Sequence, residues 1–440
     1  MSKMWKRIIA TALIGVMTLS LVACSKSDSS SEKEESGTEE LEVWLPATAE
    51  DGNDAELWAD IVADFEEEHN CKVNFQFISW KDYEAKFSSA ISTGTGPDVA
   101  RMYVEMYPTY IDAGAVEDLT DYLTDEDYDT YTVLTEKYQI FGKHYGVAIS
   151  GPSSSVSMVY NKDILDAIGE DVPKNWDDVI RVAQKATQDT DGDGTIDQYG
   201  IAQGWGQTFY QDLNFNYYSF LWQAGGDVFD AQTGECLLDS EAGIASAQFL
   251  YDLKNTYKVL PEDTMSLINA EAFENYFLSG KAALAFVSLG TGNLNLLDEA
   301  GINYGFDITL QGPNGDQGFW TAADQLALMS AAENKELAWE FIKYVTGPEG
   351  GPKMHEMDHS APCTNTGEPY YASEVTREMM EEYGATCTRP LTAARRATEV
   401  YDYLWKDIQS MMNGDLTPEA AMKDVAEYAN ALDYSDPNAN

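Results

Sequence analysis

Basic residues are scarce in this chain of 440 residues. Lysine and arginine total 27 against 75 aspartates and glutamates, which gives a formal net charge of −48 at pH 7. A surface this acidic repels nucleic-acid phosphates, so the composition excludes nucleic-acid binding as a function. Histidine is also rare, with four residues, and the sequence contains no glycine-rich phosphate loop and no serine-nucleophile motif. The sequence therefore gives little support to an enzyme.

Cysteine is almost as scarce, with five residues. None of them stands in a CxxC or another metal-ligand spacing. Beyond Cys24, two interpretations stay open for an exported protein: a disulfide between Cys363 and Cys387, or buried thiols without a bridge.

Long hydrophobic runs are missing apart from a 15-residue stretch at 8–22, which follows three basic residues. This stretch is too short to span a bilayer comfortably and is typical of a secretory leader. It ends in Leu-Val-Ala-Cys at Cys24, which resembles the lipobox of bacterial lipoproteins. We therefore expect a signal peptide over 1–23, a lipid on Cys24, and a flexible polar tether over 24–40 that anchors the protein outside the cytoplasm. The alternative is an ordinary cleaved leader with a chance cysteine.

The chain has enough aromatic residues to form packed cores, with 10 Trp, 26 Tyr and 16 Phe. Short β-patterned runs alternate with amphipathic helical patterns. Strands are predicted at 41–45, 73–78 and 99–103, separated by helices at 56–68 and 83–91. This alternation predicts an α/β fold with largely parallel sheets.

Four sequence blocks carry a family resemblance. In chain order they are GTGPDV at 94–99, VYNKD at 159–163, SGKAA at 279–283 and NKELAWEFI at 334–342. Together with the lipobox, they resemble the extracellular solute-binding proteins that feed ABC importers, in the branch that handles sugars and oligosaccharides.

The resemblance implies a two-lobed periplasmic-binding-protein fold, with hinge strands and a ligand cleft between the lobes. The first lobe is expected from 41–150 plus about 283–345, and the second from 151–282 plus about 346–440. The chain would cross between the lobes near 150–155, near 320–325 and again after Thr346.

Candidate ligand contacts are aromatic or polar side chains near strand ends and lobe crossings, because sugars present hydroxyls and one apolar face. By resemblance, Tyr103 and Glu105 supply an aromatic and an acidic contact, although Met102 stands where the compared family member has its aromatic residue. A glycine-flanked tryptophan adds Trp205. The full set of candidates is Trp44, Tyr103, Glu105, Trp205, Tyr217, Trp320, Asp324 and Arg389. Trp58 and Trp80 are expected in the core.

An acidic loop matches most of an EF-hand calcium loop. The matching oxygen-bearing residues alternate, and their full set is Asp189, Asp191, Asp193, Thr195 and Asp197. Gly200 replaces the bidentate glutamate of position twelve. A structural calcium ion and a plain turn rich in aspartate are both compatible with this loop.

His355-Glu356-Met357-Asp358-His359 satisfies HExxH, the zinc-peptidase motif. Its helix is predicted to be short, and no third ligand is evident, so chance occurrence is the favoured interpretation. A secreted zinc hydrolase is the enzymatic alternative.

The sequence as a whole predicts a non-enzymatic, monomeric lipoprotein that needs no cofactor. It would capture a sugar, favoured to be an oligosaccharide, and deliver it to an ABC permease in the membrane. A surface polysaccharide-binding adhesin without a transport role is the alternative.

Overall fold

Strands and helices alternate along most of the chain. The computed structural model describes residues 38–47, 53–150, 156–208, 210–230, 233–288, 290–358, 360–366 and 374–433. The strands are β1 (Glu39–Pro46), β2 (Cys71–Ile78), β3 (Val99–Met102), β4 (Val147–Ala148), β5 (Val156–Asn161), β6 (Tyr199–Ala202), β7 (Ala282–Ser288), β8 (Tyr304–Asp307), β9 (Phe319–Trp320), β10 (Gln325–Leu328) and β11 (Thr388–Arg389).

The helices connect the strands along the chain. They are α1 (Asp54–His69), α2 (Trp80–Thr93), α3 (Tyr107–Asp112), α4 (Asp125–Thr130), α5 (Lys162–Ile168), α6 (Trp176–Ala186), α7 (Leu213–Asn216), α8 (Tyr218–Gln223), α9 (Glu241–Tyr251), α10 (Asn269–Ala272), α11 (Thr291–Glu299), α12 (Lys335–Thr346), α13 (Gly351–Asp358), α14 (Glu374–Met379), α15 (Ala385–Cys387), α16 (Ala397–Asn413) and α17 (Pro418–Asn430). Short 3₁₀ turns at Leu119–Asp121, Glu136–Tyr138 and Tyr210–Asp212 and π-helical turns at Asp252–Thr256, Phe273–Phe277 and Met380–Gly384 complete the set.

Local sequence signals fix several helix ends. The side chain of Asn175 accepts a hydrogen bond from the Asp178 amide at the start of α6 (2.9 Å), and Asn334 does the same for Leu337 in α12 (3.0 Å). Helix α2 ends at Gly94, whose φ of +68° lies in the left-handed region that glycine adopts freely.

A five-stranded sheet in the order β2-β1-β3-β10-β4 forms the centre of what we call the first lobe. Strand β1 is parallel to β2 and β3, whereas β10 is antiparallel to β3, with Gln325 opposite Met102. The carboxyl ends of β1, β2 and β3 therefore share one edge of the sheet with the beginning of β10. Helices α1 and α12 cover this sheet, where Phe65 meets Phe341 at 5.5 Å between ring centroids.

A four-stranded sheet in the order β6-β7-β5-β8 forms the centre of the second lobe. Strand β7 is parallel to β6 and antiparallel to β5, and β8 is antiparallel to β5. The stacked pair Trp176 and Phe249 (4.2 Å) joins α6 to α9, and the edge contact of Phe220 with Phe286 (4.9 Å) joins α8 to β7 of the sheet. A separate short pair, β9 with β11, places Trp320 opposite Arg389.

The sheet pairings correct the expected lobe boundaries. Strands β7 and β8, expected in the first lobe with 283–345, pair with β5 in the second sheet. Conversely, part of 346–440 belongs with the first lobe, because Lys353 of α13 bonds the Asp60 carbonyl and Thr132 donates to the Cys363 carbonyl. A buried strand has the same local pattern in either sheet, so the sequence predicted the strands but not their partners. The first strand also begins at Glu39, within the predicted tether, and most of that tether lies outside the described residues.

The expected alternatives for cysteine are resolved in favour of buried thiols. Cys363 and Cys387 form no disulfide; their sulfurs hydrogen-bond the Ala148 carbonyl (3.0 Å) and Gln317 Oε1 (3.5 Å) instead. Cys71 and Cys236 are also buried thiols. Cys24 and the leader lie outside the described residues.

Candidate ligand-binding cleft

A cavity of about 470 Å³ opens where the shared strand edge of the first lobe faces the second lobe. Its volume lies within the range of small-molecule binding sites, roughly 300–1,000 Å³. The lining is more apolar than polar and includes several aromatic side chains with a few charged groups. This combination is typical of a site that binds an amphipathic small molecule.

Strand topology explains the first-lobe wall. Pro46 ends β1, Trp80 starts α2 directly after β2, and Tyr103 and Glu105 follow β3. Asp324 reaches the same edge because β10 runs antiparallel to β3. These side chains meet because carboxyl ends of parallel strands gather at one edge of a sheet.

Four aromatic rings form two contact pairs on the lining. Trp80 and Tyr103 lie 6.3 Å apart between ring centroids, and Trp320 and Phe215 lie 6.2 Å apart. Trp80 is 36% exposed, which is high for a tryptophan, and it lines the cavity. Planar apolar rings of this kind suit the apolar face of a sugar.

The charged groups of the lining comprise one ion pair and one further acid. Nε and Nη2 of Arg101 both lie 3.0 Å from Asp324 Oδ2, and the guanidinium also covers the Trp80 ring at 5.6 Å. The pair is largely buried, so it holds Arg101 in a fixed position on the wall. Its charges offset each other, and the Glu105 carboxyl is left without a basic partner on the lining.

Glu105 is 6% exposed and lines the cavity. Burial raises the pKa of its carboxyl to about 8, because the charged form loses its hydration, and the negative charges of Asp324 and Glu84 act in the same direction. The hydroxyl of the neighbouring Tyr103 donates to Glu84 Oε2 at 2.9 Å and is not directed to Glu105.

The second-lobe wall comes from a segment that sequence reasoning did not select. Gln211, Asn214 and Phe215 lie in the 3₁₀ turn Tyr210–Asp212 and in α7 and line the cavity. Asn214 Oδ1 is buried and has no hydrogen-bond partner among the described residues. Ser288, at the carboxyl end of β7, adds a hydroxyl. A ligand in the cavity could form hydrogen bonds with these polar groups.

Four predicted residues meet at this cavity: Tyr103, Glu105, Trp320 and Asp324. Trp80 and Trp58, expected in the core, also line it. Trp80 follows the end of a strand, and residues after strand ends were treated as candidate ligand contacts, as Tyr103 was. The sequence therefore contained a signal that could have placed Trp80 in the cleft.

Three of the predicted contacts lie in the core instead. Trp44 is 8% exposed and packs against Phe87 at 6.3 Å. Tyr217 is fully buried beside Met422, with its hydroxyl 3.3 Å from the sulfur. Residues next to a strand end or on a helix face alternate between core and cleft, which the sequence alone did not separate.

Trp205 is also fully buried, where it stacks on Trp405 at 5.7 Å. The glycines beside it do not create an open loop. A Cβ on Gly204 would lie 2.3 Å from the Ile268 carbonyl oxygen, and one on Gly206 2.7 Å from the Ser266 carbonyl carbon. They are there because two backbone segments pack closely.

Arg389 was predicted to touch ligand, but its guanidinium is engaged elsewhere. It donates to Asp227 Oδ2 at 2.7 Å and lies 5.0 Å from the Trp222 ring. Arg389 does not line the cavity, although its strand partner Trp320 does.

The acidic loop brings three of its five predicted ligands together. Carboxylate oxygens of Asp189, Asp191 and Asp197 lie within 4.8 Å of one another, whereas the carboxylate of Asp193 is outside this group. Both oxygens of Asp189 accept backbone amides, including those of Gly192 and Gly194 at 2.7 Å. The loop is thus closed by its own hydrogen bonds, and three carboxylates offer fewer ligands than calcium usually takes. Calcium binding here stays a prediction.

The HExxH segment is a structural helix. His355 is buried, and its Nδ1 lies 2.9 Å from Ser360 Oγ. Burial lowers the pKa of His355 to about 4, which keeps the ring neutral. His359 lies outside the described residues. Met354 and Met357 of the same helix line the cavity instead.

Comparison with known proteins places the chain in a family. Residues 49–352 match the bacterial extracellular solute-binding proteins, and the chain belongs to this family. Its relatives and structural neighbours are binding proteins, so the chain is a binding protein and not an enzyme. Binding proteins of this family need no cofactor. The family's location is extracytoplasmic, and among the described residues no helix is long and apolar enough to cross a membrane.

Relatives of known function and solved structures agree with this assignment. The galactooligosaccharide-binding protein of Bacillus subtilis is 24% identical over 97% of both chains, and the diacetylchitobiose-binding protein of Streptomyces coelicolor is 24% identical over 79% of this chain and 80% of its own. An ABC substrate-binding protein of Listeria monocytogenes in complex with cycloalternan superimposes with a TM-score of 0.73 at 21% identity, covering 90% of this chain and 98% of that chain. The maltodextrin-binding domain of Bdellovibrio bacteriovorus gives 0.70 at 19%, covering 89% and 98%. The predicted two-lobed fold is confirmed.

Proposed function

We propose that this protein captures a carbohydrate, preferably an oligosaccharide, in the cleft and delivers it to the permease of an ABC importer. The observation that carries the proposal is the cavity itself, in which Trp80, Tyr103, Trp320 and Phe215 surround a few buried polar groups. The sugar-binding names of the relatives support the same class of ligand.

Calorimetry with mono- and oligosaccharides tests this proposal, combined with the variant Trp80→Ala. Loss of a stacking ring should weaken sugar binding by about tenfold, a loss of roughly 1–2 kcal/mol. Because Trp80 is already partly exposed, the fold should tolerate the change. Tyr128→Ala is the matched control, since Tyr128 is 48% exposed and does not line the cavity. No heat with any sugar, in folded protein, would contradict the proposal.

Transport is distinguished from adhesion by lobe closure. An import receptor should become more compact on ligand binding, which small-angle scattering measures, because closing adds ligand contacts from the second lobe. A polysaccharide-binding adhesin would bind without compaction. Uptake of the bound sugar by cells, lost when the gene is deleted, would establish delivery to a permease.

The proposal includes a lipid anchor on Cys24 and a monomeric receptor. The variant Cys24→Ala should abolish labelling with a radioactive fatty acid and release the protein from the membrane fraction. Unchanged membrane association would show that a lipid on this cysteine is not the anchor. Light scattering of the purified chain measures the oligomeric state.

A further inference from the structure

The lining of the cleft carries two carboxyl groups and one basic group. They belong to Glu105, Asp324 and Arg101, and Arg101 is held by Asp324 through two contacts of 3.0 Å. The Glu105 carboxyl therefore remains without a cationic partner on the lining. Its raised pKa of about 8 keeps much of it protonated near neutral pH until a cation binds beside it.

Glu105 is placed to receive a donor from the ligand. It is more than nine-tenths buried, and no other described residue donates a hydrogen bond to its carboxyl. Its own backbone amide hydrogen-bonds this carboxyl, but no cation neutralises it when it ionises. Ionising a buried carboxyl without a cation is costly, and a ligand that supplies a positive charge offsets this cost more fully than a neutral hydroxyl does.

The surroundings of Glu105 strengthen its preference for a positively charged ligand group. Glu84 of α2 and Asp324 contribute negative charge, and the phenols of Tyr103, Tyr210 and Tyr218 face it without a positive charge. An anionic ligand would meet repulsion here.

We propose that the cleft selects a sugar that carries a free amine, with its ammonium group paired to the Glu105 carboxylate. This inference rests on the proposed carbohydrate-binding function and names the ligand class more closely. It also predicts that glucuronate and other acidic sugars are rejected.

Matched sugar pairs test the proposal by calorimetry on the full chain at pH 7.5 and 150 mM salt. The pairs are glucose with glucosamine, galactose with galactosamine, and cellobiose with the β-1,4-linked glucosamine dimer. In at least one pair, the amine sugar should bind about tenfold tighter or more than its neutral counterpart. A tenfold difference in affinity corresponds to a difference of ~1.4 kcal/mol in binding free energy.

Two variants locate the effect. Glu105→Gln should reduce the ratio of amine-sugar affinity to neutral-sugar affinity to about one. Neutral sugars should still bind, because glutamine has the same shape as glutamate and no charge. Glu241→Gln, which removes an exposed charge at the start of α9, should leave the preference unchanged. A preference that survives Glu105→Gln would reflect the general acidity of the chain and overturn the proposal.

Proton release provides a second signature. Pairing with a cation favours the charged carboxylate, so Glu105 loses its proton when an amine sugar binds, to solvent or to the fraction of sugar that arrives as neutral amine. Binding should therefore release more protons, or take up fewer, in wild type than in Glu105→Gln. Calorimetry in buffers of different ionisation enthalpy measures this release. If neutral sugars bind as tightly as their amine counterparts, the amine proposal is overturned and the proposed carbohydrate-binding function is not. If no sugar binds at all, both proposals are overturned.

Discussion

Gly204 shows how a single residue can fix the core of the second lobe. Any side chain there would begin 2.3 Å from the backbone oxygen of Ile268, and backbone cannot move aside as a flexible side chain can. We expect Gly204→Ala to lower the free energy of unfolding by about 1–3 kcal/mol. Urea denaturation measures this loss. Gly290→Ala is the control, since its nearest atom would be Ser288 Oγ at 3.8 Å and its φ is −67°; an equal loss there would contradict the packing explanation.

Glu105 connects ligand binding to stability. Its pKa is raised from the model-compound value of 4.5 to about 8 in the folded protein. The folded state therefore holds this proton over a pH range in which the unfolded chain has lost it. As pH rises from about 4.5 to 8, the unfolded chain is stabilised by ionisation of this carboxyl while the folded state keeps it protonated, so this group contributes a growing loss of stability.

The variant Glu105→Gln should remove that loss. Without ligand, we expect it to be more stable than wild type at pH 8 by more than ~1 kcal/mol, with the difference shrinking toward pH 5. Thermal or urea denaturation across this pH range measures the difference. A constant difference at all pH values would show that Glu105 ionises normally.

Elements were more predictable than their partners. The strand predicted at 41–45 is observed at Glu39–Pro46, and the helix predicted at 56–68 at Asp54–His69. Strand β7 lies in the second sheet, although 283–345 was assigned to the first lobe. Periodicity and caps act over a few residues, so they are visible in the sequence, whereas pairing across a sheet depends on residues more than a hundred positions away.

The cleft was predicted only in part for the same reason. Tyr103 and Glu105 were selected by their position after a strand and by the family resemblance, and Asp324 by its position beside a predicted lobe crossing; all three line the cavity. Trp205 was selected because glycines flank it, and Tyr217 as an aromatic candidate. Neither was selected at a strand end, and both are core residues.

The loop between α6 and β6 permits a test of calcium at the level of one element. If Asp189, Asp191 and Asp197 bind the ion, calcium at 100 times its dissociation constant should stabilise the protein by ~2.7 kcal/mol relative to chelator. A thermal-shift assay measures this gain, and Asp191→Asn should abolish it. Sugar affinity should change little, since these aspartates do not line the cavity. Equal melting temperatures in calcium and chelator would show that the loop is a turn without an ion.

At the scale of the molecule, the residues around the start of α16 connect the two lobes. Arg395 Nε donates to both oxygens of Asp112 in α3 at 2.8 and 3.1 Å, and its guanidinium lies 4.3 Å from the Phe141 ring. Thr398 Oγ1 donates to the Glu105 carbonyl at 3.2 Å. Helix α16 packs with α17 in the second lobe, so these contacts tie that lobe to the residues that follow β3.

Arg395→Ala should therefore weaken closure. The ion pair is mostly buried, and we expect about a fivefold loss of ligand affinity, roughly 1 kcal/mol, with less compaction in small-angle scattering. Arg396→Ala is the control, because that neighbouring arginine pairs with Glu399 one turn along the same helix. Equal effects of the two variants would show that general charge, and not the contact with Asp112, is responsible.

The buried thiols have a practical consequence for measuring closure. Cys71, Cys236, Cys363 and Cys387 are all inside the protein, and burial raises the pKa of Cys71 and brings that of Cys236 to about 11. Thiol-reactive reagents should therefore leave these four cysteines largely unmodified in the folded state. With Cys24 replaced, one engineered surface cysteine in each lobe would accept a donor and an acceptor dye selectively. The double-labelled protein would then act as a fluorescent sensor, because lobe closure on sugar binding would change the energy transfer between the two dyes.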